Sequence, residues 1–162
     1  HVDALNIDLK SMDEEYYQKI CGGKPGPVLE SIRLAHEHQE VLLEVTHLLV
    51  PEQREPMEDL EKIRDFLTDL DPQIPLHVSR YFPQYRMAHA ATEESLLKKA
   101  YEYLSEEMPF VYLGNYSLPE AENTLCPSCN AVVIKRLGYQ IDASGLRDGS
   151  CAECGKPLPI VT

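Results

Sequence analysis

Four short segments of the chain are apolar or alternate between polar and apolar residues, and helix-like spacing of apolar residues separates them. The short segments predict β-strands at 2–9, 41–50, 76–82 and 110–113. The helical spacing predicts helices at about 28–39 and 56–70, and a later helix with Thr92 as its N-cap. Ser11 and Glu14 form a capping box that predicts a further short helix after the first strand. Strands and helices therefore alternate in this part of the chain.

This alternation predicts an α/β fold in which parallel strands are joined by right-handed helical crossovers. The strands are amphipathic, and their polar positions lie on one face: Asn6, Asp8, Lys10, Glu44, Thr46, His77 and Ser79. Helical crossovers normally cover an open parallel sheet on both faces. We therefore favour a partial (β/α) TIM-like barrel around a polar cavity over an open sheet with one solvated face.

The ends of these predicted strands suggest a ligand site. Barrels and open α/β sheets bind ligands at the C-terminal ends of their strands, where Asp8, Lys10, Thr46 and Ser79 fall. A carboxylate and an ammonium group on one face suit a zwitterionic or hydroxyl-bearing ligand, although they could equally be a structural ion pair. We predict that Asp8 and Lys10 line one end of the cavity, together with Asn6, Thr46, His77 and Ser79.

Two Cys-x-x-Cys pairs near the end of the sequence carry its most specific chemistry. The four cysteines are Cys126, Cys129, Cys151 and Cys154. Paired motifs of this kind are typical of a zinc ribbon, in which four thiolates bind one Zn²⁺ tetrahedrally. We predict a structural zinc site with four cysteine ligands in residues 119–162, appended to a barrel formed by residues 1–118. Two disulfides or unrelated buried thiols are the alternative, and iron in a rubredoxin-like site is the main rival of zinc.

The residues around the cysteines support this prediction. Asn130 and Gly155 each follow the second cysteine of a pair, and both residue types tolerate the left-handed backbone of a metal-binding knuckle. The segments 132–136 and 138–141 are predicted as the strands of the ribbon.

The charge of the chain argues against a nucleic-acid partner. There are 27 acidic and 15 basic residues, which gives a formal net charge of -12, whereas affinity for a phosphate backbone begins with a basic surface. Four basic residues do surround the cysteines: Lys135, Arg136, Arg147 and Lys156. We interpret them as local compensation for a negatively charged metal site.

The sequence contains neither an apolar run long enough to cross a bilayer nor an N-terminal signal pattern. We expect no membrane partner, and metal-binding thiols fit the reducing cytoplasm. The fifth cysteine, Cys21, is predicted to be inert. Because the chain begins at His1 immediately before a strand, we expect a preceding portion.

Several short motifs together are more specific than any one of them. They are residues 6–10 (NIDLK), 21–23 (CGG), 44–51 (EVTHLLVP), 77–83 (HVSRYFP), 114–115 (GN) and 122–124 (ENT). In order and spacing they resemble the latter part of the radical S-adenosylmethionine (SAM) enzyme of the AmmeMemoRadiSam system, a relative of pyruvate formate-lyase activating enzymes. The resemblance covers essentially the whole chain.

This resemblance implies a partial (β/α) barrel that holds a [4Fe–4S] cluster and SAM, with a zinc-ribbon-like cysteine quartet appended. Asp8 and Lys10 match a strand-end Asp-x-Lys that contacts SAM in the activating enzymes. Thr46 stands where those relatives carry an arginine near the cofactor, and Phe82 lies near the position of a cofactor-contacting histidine.

The Cys-x-x-x-Cys-x-x-Cys triplet that binds the radical-generating cluster does not occur in this sequence. The four cysteines have the wrong spacing and would close every coordination position of one metal. We therefore expect no catalytic residue here and an inactive chain in isolation.

Two functions of different classes remain open. The first is a fragment of a radical SAM enzyme, whose parent cleaves SAM to a 5′-deoxyadenosyl radical and abstracts hydrogen from an unidentified substrate. Its partner would be the missing N-terminal portion, and its open sheet edges would allow self-association. The second is a non-catalytic zinc-ribbon interaction module on an α/β scaffold.

Overall fold

The computed structural model describes residues 2–38, 40–51 and 56–160. The chain divides into two compact units, His1–Tyr116 and Ser117–Thr162, called here the sheet unit and the cysteine unit. The elements of the sheet unit are β1 Ala4–Asp8, α1 Glu14–Tyr16, α2 Pro25–Glu37, β2 Leu42–Leu49, α3 Pro56–Leu70, β3 Leu76–Arg80, α4 Glu94–Ser105 and β4 Val111–Gly114. Those of the cysteine unit are α5 Pro119–Glu122, β5 Thr124–Leu125, β6 Val132–Leu137, β7 Gln140–Asp142, β8 Leu146–Arg147 and β9 Ser150–Cys151.

The sheet unit is built on four parallel strands in the order β1-β2-β3-β4. Spatial order follows chain order, and helical structure lies between each strand and the next. This confirms the predicted α/β fold with a parallel sheet. Among the described residues β1 and β4 form the two edges, so these four strands do not show the predicted barrel.

The two faces of the sheet differ as their alternating pattern predicts. In β2, Leu43, Val45 and Leu49 are buried, whereas Glu44 on the opposite face is exposed. Helical residues complete the core on the buried side: Ile32, Leu60, Ile63, Leu67, Leu97 and Leu104. The polar face remains accessible to solvent in the part of the chain that the structure describes, so the enclosed cavity predicted from the sequence is not seen here.

The first short helix does not begin with the predicted capping box. Asp13 is the N-cap, and its side chain accepts the backbone N–H of Tyr16 at 2.7 Å. The hydroxyl of Ser11 instead accepts the backbone N–H of Asp13 at 2.9 Å. Ser11 thus shapes the turn that leads into the helix, and after α1 the chain continues as a π-helix over Tyr17–Cys21.

The predicted cap of α4 is also displaced by one residue. Glu93 is the N-cap, because the buried hydroxyl of Thr92 donates to the carbonyl oxygen of Leu49 and accepts the backbone N–H of Tyr81. Thr92 therefore ties the start of α4 to the ends of two strands.

Most other predicted boundaries agree with the structure to within about two residues. Helix α2 starts earlier than predicted, at Pro25, because proline suits the first helical position. Its predicted end at Gln39 lies outside the described residues. None of the helices among the described residues has the length and apolar character needed to cross a bilayer.

The cysteine unit consists of small antiparallel sheets. Strands β5, β6 and β7 form one sheet, and β8 pairs with β9. Gly145 allows the chain before β8 to cross closely over β6, since an added Cβ would lie only 2.3 Å from the carbonyl oxygen of Val132 and 2.6 Å from Cα of Val133. Glycine is required there by close backbone approach.

Candidate functional site

The four predicted metal ligands come together in the cysteine unit. All four Sγ atoms lie within 4.8 Å of one another. The distance from Cys126 to Cys154 is 3.6 Å and that from Cys129 to Cys151 is 3.7 Å. Four sulfurs arranged tetrahedrally around Zn²⁺ at about 2.3 Å are separated by about 3.8 Å, so this geometry fits a single metal ion.

The same geometry argues against the disulfide alternative. All five cysteines are free thiols, and a disulfide requires an S–S distance of about 2.0 Å. The described residues thus favour a four-thiolate metal centre. Soft thiolate ligands in a tetrahedral arrangement suit either zinc or iron.

The local backbone explains why the sulfurs converge. In the first knuckle, Asn130 donates its backbone N–H to the carbonyl of Cys126 at 2.8 Å, and Gly155 donates to Cys151 at 2.9 Å in the second. Asn130 and Gly155 have φ angles of 57° and 73°. The predicted left-handed residues are confirmed, and the two knuckles repeat one hydrogen-bond pattern at corresponding positions.

Two of the thiols differ in acidity. Burial raises the pKa of Cys126, but hydrogen bonds from the backbone of Ser128 and Cys129 and with the thiols of Cys154 and Cys129 together outweigh this effect and lower it to about 7. At Cys129 a hydrogen bond from the backbone of Ala131 lowers the pKa, but the neighbouring thiols and burial raise it to about 12. A metal ion would displace the protons that the quartet still holds, because thiolates are the metal-binding form.

One of the basic residues near the quartet has a structural contact. The guanidinium of Arg136 donates to the carbonyl of Glu122 at 3.0 Å and to the hydroxyl of Thr124 at 2.8 Å, and its backbone N–H donates to the side chain of Asn123 at 2.8 Å. Arg136 thus joins α5 and β5 to β6. Its role in compensating the charge of the thiolates stays a prediction.

In the sheet unit, the residues predicted to bind a ligand share the polar face. The register aligns Asp8, Thr46, His77 and Tyr112 in one row across β1 to β4. Asn6 lies opposite Glu44, two residues before this row, and Ser79 lies opposite Gly114, two residues beyond it. We call Asp8, Thr46, His77 and Tyr112 the polar row.

At the β1 end of the row, two side-chain contacts are formed. The Nζ atom of Lys10 donates to Asp8 Oδ2 at 2.7 Å, in an exposed ion pair. The hydroxyl of Thr46 donates to Oδ1 of Asn6 at 3.0 Å. These groups are accessible, so a ligand can compete for them without opening the core.

At the other end of the row, an imidazole is held between a carboxylate and an aromatic ring. His77 Nε2 lies 3.0 Å from Oε2 of Glu44, and its ring stacks on Tyr112 with centroids 5.2 Å apart. Ser79 has room for its hydroxyl because its neighbour is Gly114, where an added Cβ would lie 2.5 Å from Ser79 Oγ.

Two residues of this face were not in the predicted site. Glu44 shares the predicted polar face, and its alternation with Leu43 and Val45 could have suggested it. Tyr112 lies on a strand too short to show an alternating pattern clearly. Knowledge of the register was needed to place it beside His77.

No known protein family profile matches the chain. Over 165 aligned residues it is 36% identical to an uncharacterized protein of Methanocaldococcus jannaschii, MJ0808, with 99% of this chain and 49% of that protein covered. The chain therefore spans about half the length of the curated relative that it matches.

The fold is similar to a solved structure. This is the crystal structure of a domain of pyruvate-formate lyase-activating enzyme from Bacteroides vulgatus, with a TM-score of 0.59 and 21% sequence identity. The superposition covers 70% of this chain and 68% of that domain. The likeness shows that the chain has an α/β fold similar to that domain.

Proposed function

We propose that this chain is part of a radical SAM enzyme similar to the pyruvate-formate lyase-activating enzymes, of the AmmeMemoRadiSam type, and that its sheet unit contributes to the SAM site. A fold alone does not define a function. The observation that carries the proposal is the polar row, which lies on the accessible face of a sheet whose fold is similar to an activating-enzyme domain.

The chemistry of the row suits SAM. SAM carries an amino-acid group with both charges, and Asp8 and Lys10 offer a matching acceptor and donor. Their mutual contact at 2.7 Å can be exchanged for one contact to each end of that group. The side chains of Asn6, Thr46, His77 and Ser79 provide further hydrogen-bonding groups, and the ring of Tyr112 offers a flat surface.

The [4Fe–4S] cluster would be held by another portion of the protein. When bound, such a cluster supplies the electron that cleaves SAM into methionine and the 5′-deoxyadenosyl radical. The cysteine quartet of this chain does not fit that role, because its four thiolates would leave no open position for SAM. We assign the quartet to one structural Zn²⁺.

The proposed portion that holds the cluster is also the proposed partner of the sheet. Edge strands present unpaired backbone groups, and β1 and β4 are the edges of this sheet. Further strands added there would extend the sheet into a partial TIM-like barrel and enclose the polar row as a cavity. In the isolated chain, the same edges would favour self-association. The thiolate site suits a cytoplasmic protein, because thiols stay reduced in the cytoplasm.

The experiment uses the longer natural protein, reconstituted with iron and sulfide without oxygen and reduced with dithionite. Incubation with SAM should yield 5′-deoxyadenosine and methionine, measured by mass spectrometry. The double variant Asp8→Ala with Lys10→Ala should bind SAM more weakly at unchanged iron content. A fully loaded protein that neither binds nor cleaves SAM would contradict the proposal.

The second candidate, a zinc-ribbon interaction module, is favoured by a different observation. The hairpin of β6 and β7 exposes three large apolar residues, Leu137 at 70%, Tyr139 fully and Ile141 at 68%. Exposed apolar clusters often mark protein contacts. For a module of this kind, the longer protein would show zinc but no iron cluster and no SAM cleavage.

A further inference from the structure

The two edge strands of the sheet differ in how well their apolar faces are covered. In β4, Val111 and Leu113 are only 5% and 7% exposed, and α4 packs against both β4 and β3. In β1 every one of the five residues is exposed or half-buried. Leu5 is 37% exposed, although its neighbour in register on the same face, Leu43, is 8% exposed. The apolar face is therefore covered at the β4 edge and incompletely covered at the β1 edge.

Helix α2 does not complete the cover of β1. It packs against β1 and β2, and its residues Ile32 and Ala35 are buried, yet Ile7 on the same face as Leu5 is only half-buried. The described helices thus leave the outer part of this face uncovered. A further helix there would remove apolar surface of Leu5 and Ile7 from water, which is favourable in proportion to the area. At β4 such a helix would gain little.

The backbone of β1 is also open on its outer side. The amide of Leu9 donates to the carbonyl of Thr46 at 2.9 Å, so the backbone groups of Leu9 point toward β2. Backbone groups of successive residues in a paired strand point alternately to one side and to the other. Those of Asn6 and Asp8 therefore point away from β2, as the hydrogen-bonding groups of an edge strand do.

We propose that a strand and a helix from the remainder of the longer protein pack at the β1 edge, with the strand parallel to β1 and the helix over Leu5 and Ile7. This inference rests on the proposed function for the existence of a longer protein, but not on SAM as its ligand. The relative from Methanocaldococcus jannaschii indicates a source for this unit, because about half of that protein lies outside the matched part. Asp8 then lies inside the extended sheet, whereas β4 with Tyr112 stays at an edge.

The handedness of parallel crossovers supports this arrangement. Connections between parallel strands are right-handed in nearly all proteins, and strand order here follows chain order from β1 to β4. A strand outside β1 that continues this order and is joined to β1 by a helix therefore places that helix on the face already covered by α2, α3 and α4. This is the face on which Leu5 and Ile7 are incompletely covered. The polar row on the opposite face stays available to a ligand.

Amide hydrogen exchange in the intact longer protein tests which edge is occupied. After correction for intrinsic rates, Asn6 and Asp8 should exchange about tenfold or more slowly than Val111 and Leu113, because backbone amides that are paired in a sheet are protected. The latter two are the matched control at the other edge, since the carbonyl of Phe110 bonds to β3 and alternation directs their amides away from it.

Rapid exchange at Asn6 and Asp8, or slow exchange at Val111 and Leu113 instead, would overturn the proposal. Protection that increases with protein concentration would mean that a second copy of the chain occupies the edge, and it would overturn the proposal as well. So would a native protein that mass spectrometry shows to be no longer than this chain.

A substitution at Leu5 tests the position of the helix. In the longer protein, Leu5→Gln should lower Tm by about 4 °C or more, because the amide group would be buried beneath the helix. The matched control is Leu34→Gln, since Leu34 is 48% exposed on α2, and it should shift Tm by about 1 °C or less. If Leu5→Gln fails to fold, Leu5→Ala should give a smaller decrease that still exceeds that of Leu34→Ala. Equal decreases at the two positions would contradict the proposal.

These measurements separate the docking edge from the proposed function, because none of them uses SAM or an iron–sulfur cluster. A protected β1 edge in a protein that neither binds nor cleaves SAM would contradict the proposed function and support this inference. An open β1 edge in a protein that cleaves SAM would do the reverse.

Discussion

The sheet unit and the cysteine unit are stabilised by different means. The sheet unit buries a large set of aliphatic side chains from the strands β2, β3 and β4 and from three helices, among them Leu49, Leu67 and Leu97. In the cysteine unit the buried apolar residues are few, and they include Ala121, Val133, Ile134, Leu158 and the two cysteines 126 and 151. A core that small rarely sustains a fold without a covalent or metal cross-link.

Because of this difference, we assign the cysteine quartet a structural role and the polar row a role in ligand binding. In the proposed zinc assignment, the cysteines are the groups that the smaller unit needs in order to fold, so their ligand positions are not available for catalysis. The polar row of the sheet unit is accessible and contributes little to the core. It is therefore available to a ligand, and removing one of its members should affect binding more than stability.

The largest expected effect is the loss of the cysteine unit when the metal is removed. Structural zinc supplies on the order of 10–16 kcal/mol of apparent binding free energy in zinc-finger peptides, which exceeds what this small core can provide. Cys126→Ser, or treatment with a strong chelator, should collapse the dispersed NMR signals of residues 117–160 into those of an unfolded chain. The signals of the sheet unit should remain.

The control for this prediction is Cys21→Ser, which removes an exposed thiol outside the quartet. Elemental analysis should find about one zinc per chain in the natural protein and in this control. An unchanged spectrum of the cysteine unit after complete metal removal would mean that its few buried residues suffice.

The next effect concerns the aliphatic core of the sheet unit. Leu67 of α3 is fully buried, and Leu67→Ala should lower the free energy of unfolding by about 2–5 kcal/mol, because it removes buried methyl groups and leaves a cavity. Leu34→Ala, at a position 48% exposed on α2, should have a much smaller effect. Denaturant unfolding monitored by circular dichroism checks both, and equal losses would contradict the assignment of the core.

The fold of the sheet unit was largely predictable from sequence because its strands alternate clearly. Alternation placed Glu44 and Val45 on opposite faces, as the structure does. Helix starts were less predictable, since Ser11 and Thr92 have alternative partners that only the tertiary structure brings near. Closure into a barrel depends on strands beyond this sheet, so the pattern of these four could not establish it.

The two candidate sites differ in predictability as well. The cysteine quartet is encoded by local spacing, so the sequence predicted all four cysteines that the structure brings together. The polar row depends on the register between strands, and Tyr112 was missed for that reason. The buried contacts of His47 with the carbonyl of Leu9 and of Asp59 with the backbone N–H of Met12 were not predicted, because these residues lie on separate elements and show no local pattern.

A smaller effect is expected for Gly145 in the cysteine unit. In Gly145→Ala the added methyl group would overlap the backbone of Val132 and Val133, and relief of this overlap should cost about 1–3 kcal/mol. The affinity for zinc, measured by competition with a chromophoric chelator, should fall because folding and metal binding are coupled. Gly23→Ala, where an added Cβ meets nothing within 4 Å, is the control. Equal zinc affinities in both variants would show that the backbone near Gly145 can move away from Val132 and Val133 without loss of stability.

The smallest effect on stability is expected at Asp8, and it sharpens the contrast between fold and function. The ion pair with Lys10 is exposed, and exposed pairs contribute about 0–1 kcal/mol. Asp8→Ala should therefore unfold at nearly the same denaturant concentration as the natural chain, as should Lys19→Ala, which removes another exposed pair.

SAM binding should distinguish these two variants. In the longer protein proposed above, calorimetric titration should show that Asp8→Ala weakens SAM binding by about 1–3 kcal/mol, because a polar contact to the ligand is lost, while Lys19→Ala leaves it unchanged. An unchanged affinity for SAM in Asp8→Ala would mean that the ion pair between Asp8 and Lys10 has only a structural role. A large loss of stability in Asp8→Ala would instead mean that the polar row supports the fold. The distinction between cysteines that stabilise one unit and a polar row that binds a ligand in the other would then be wrong.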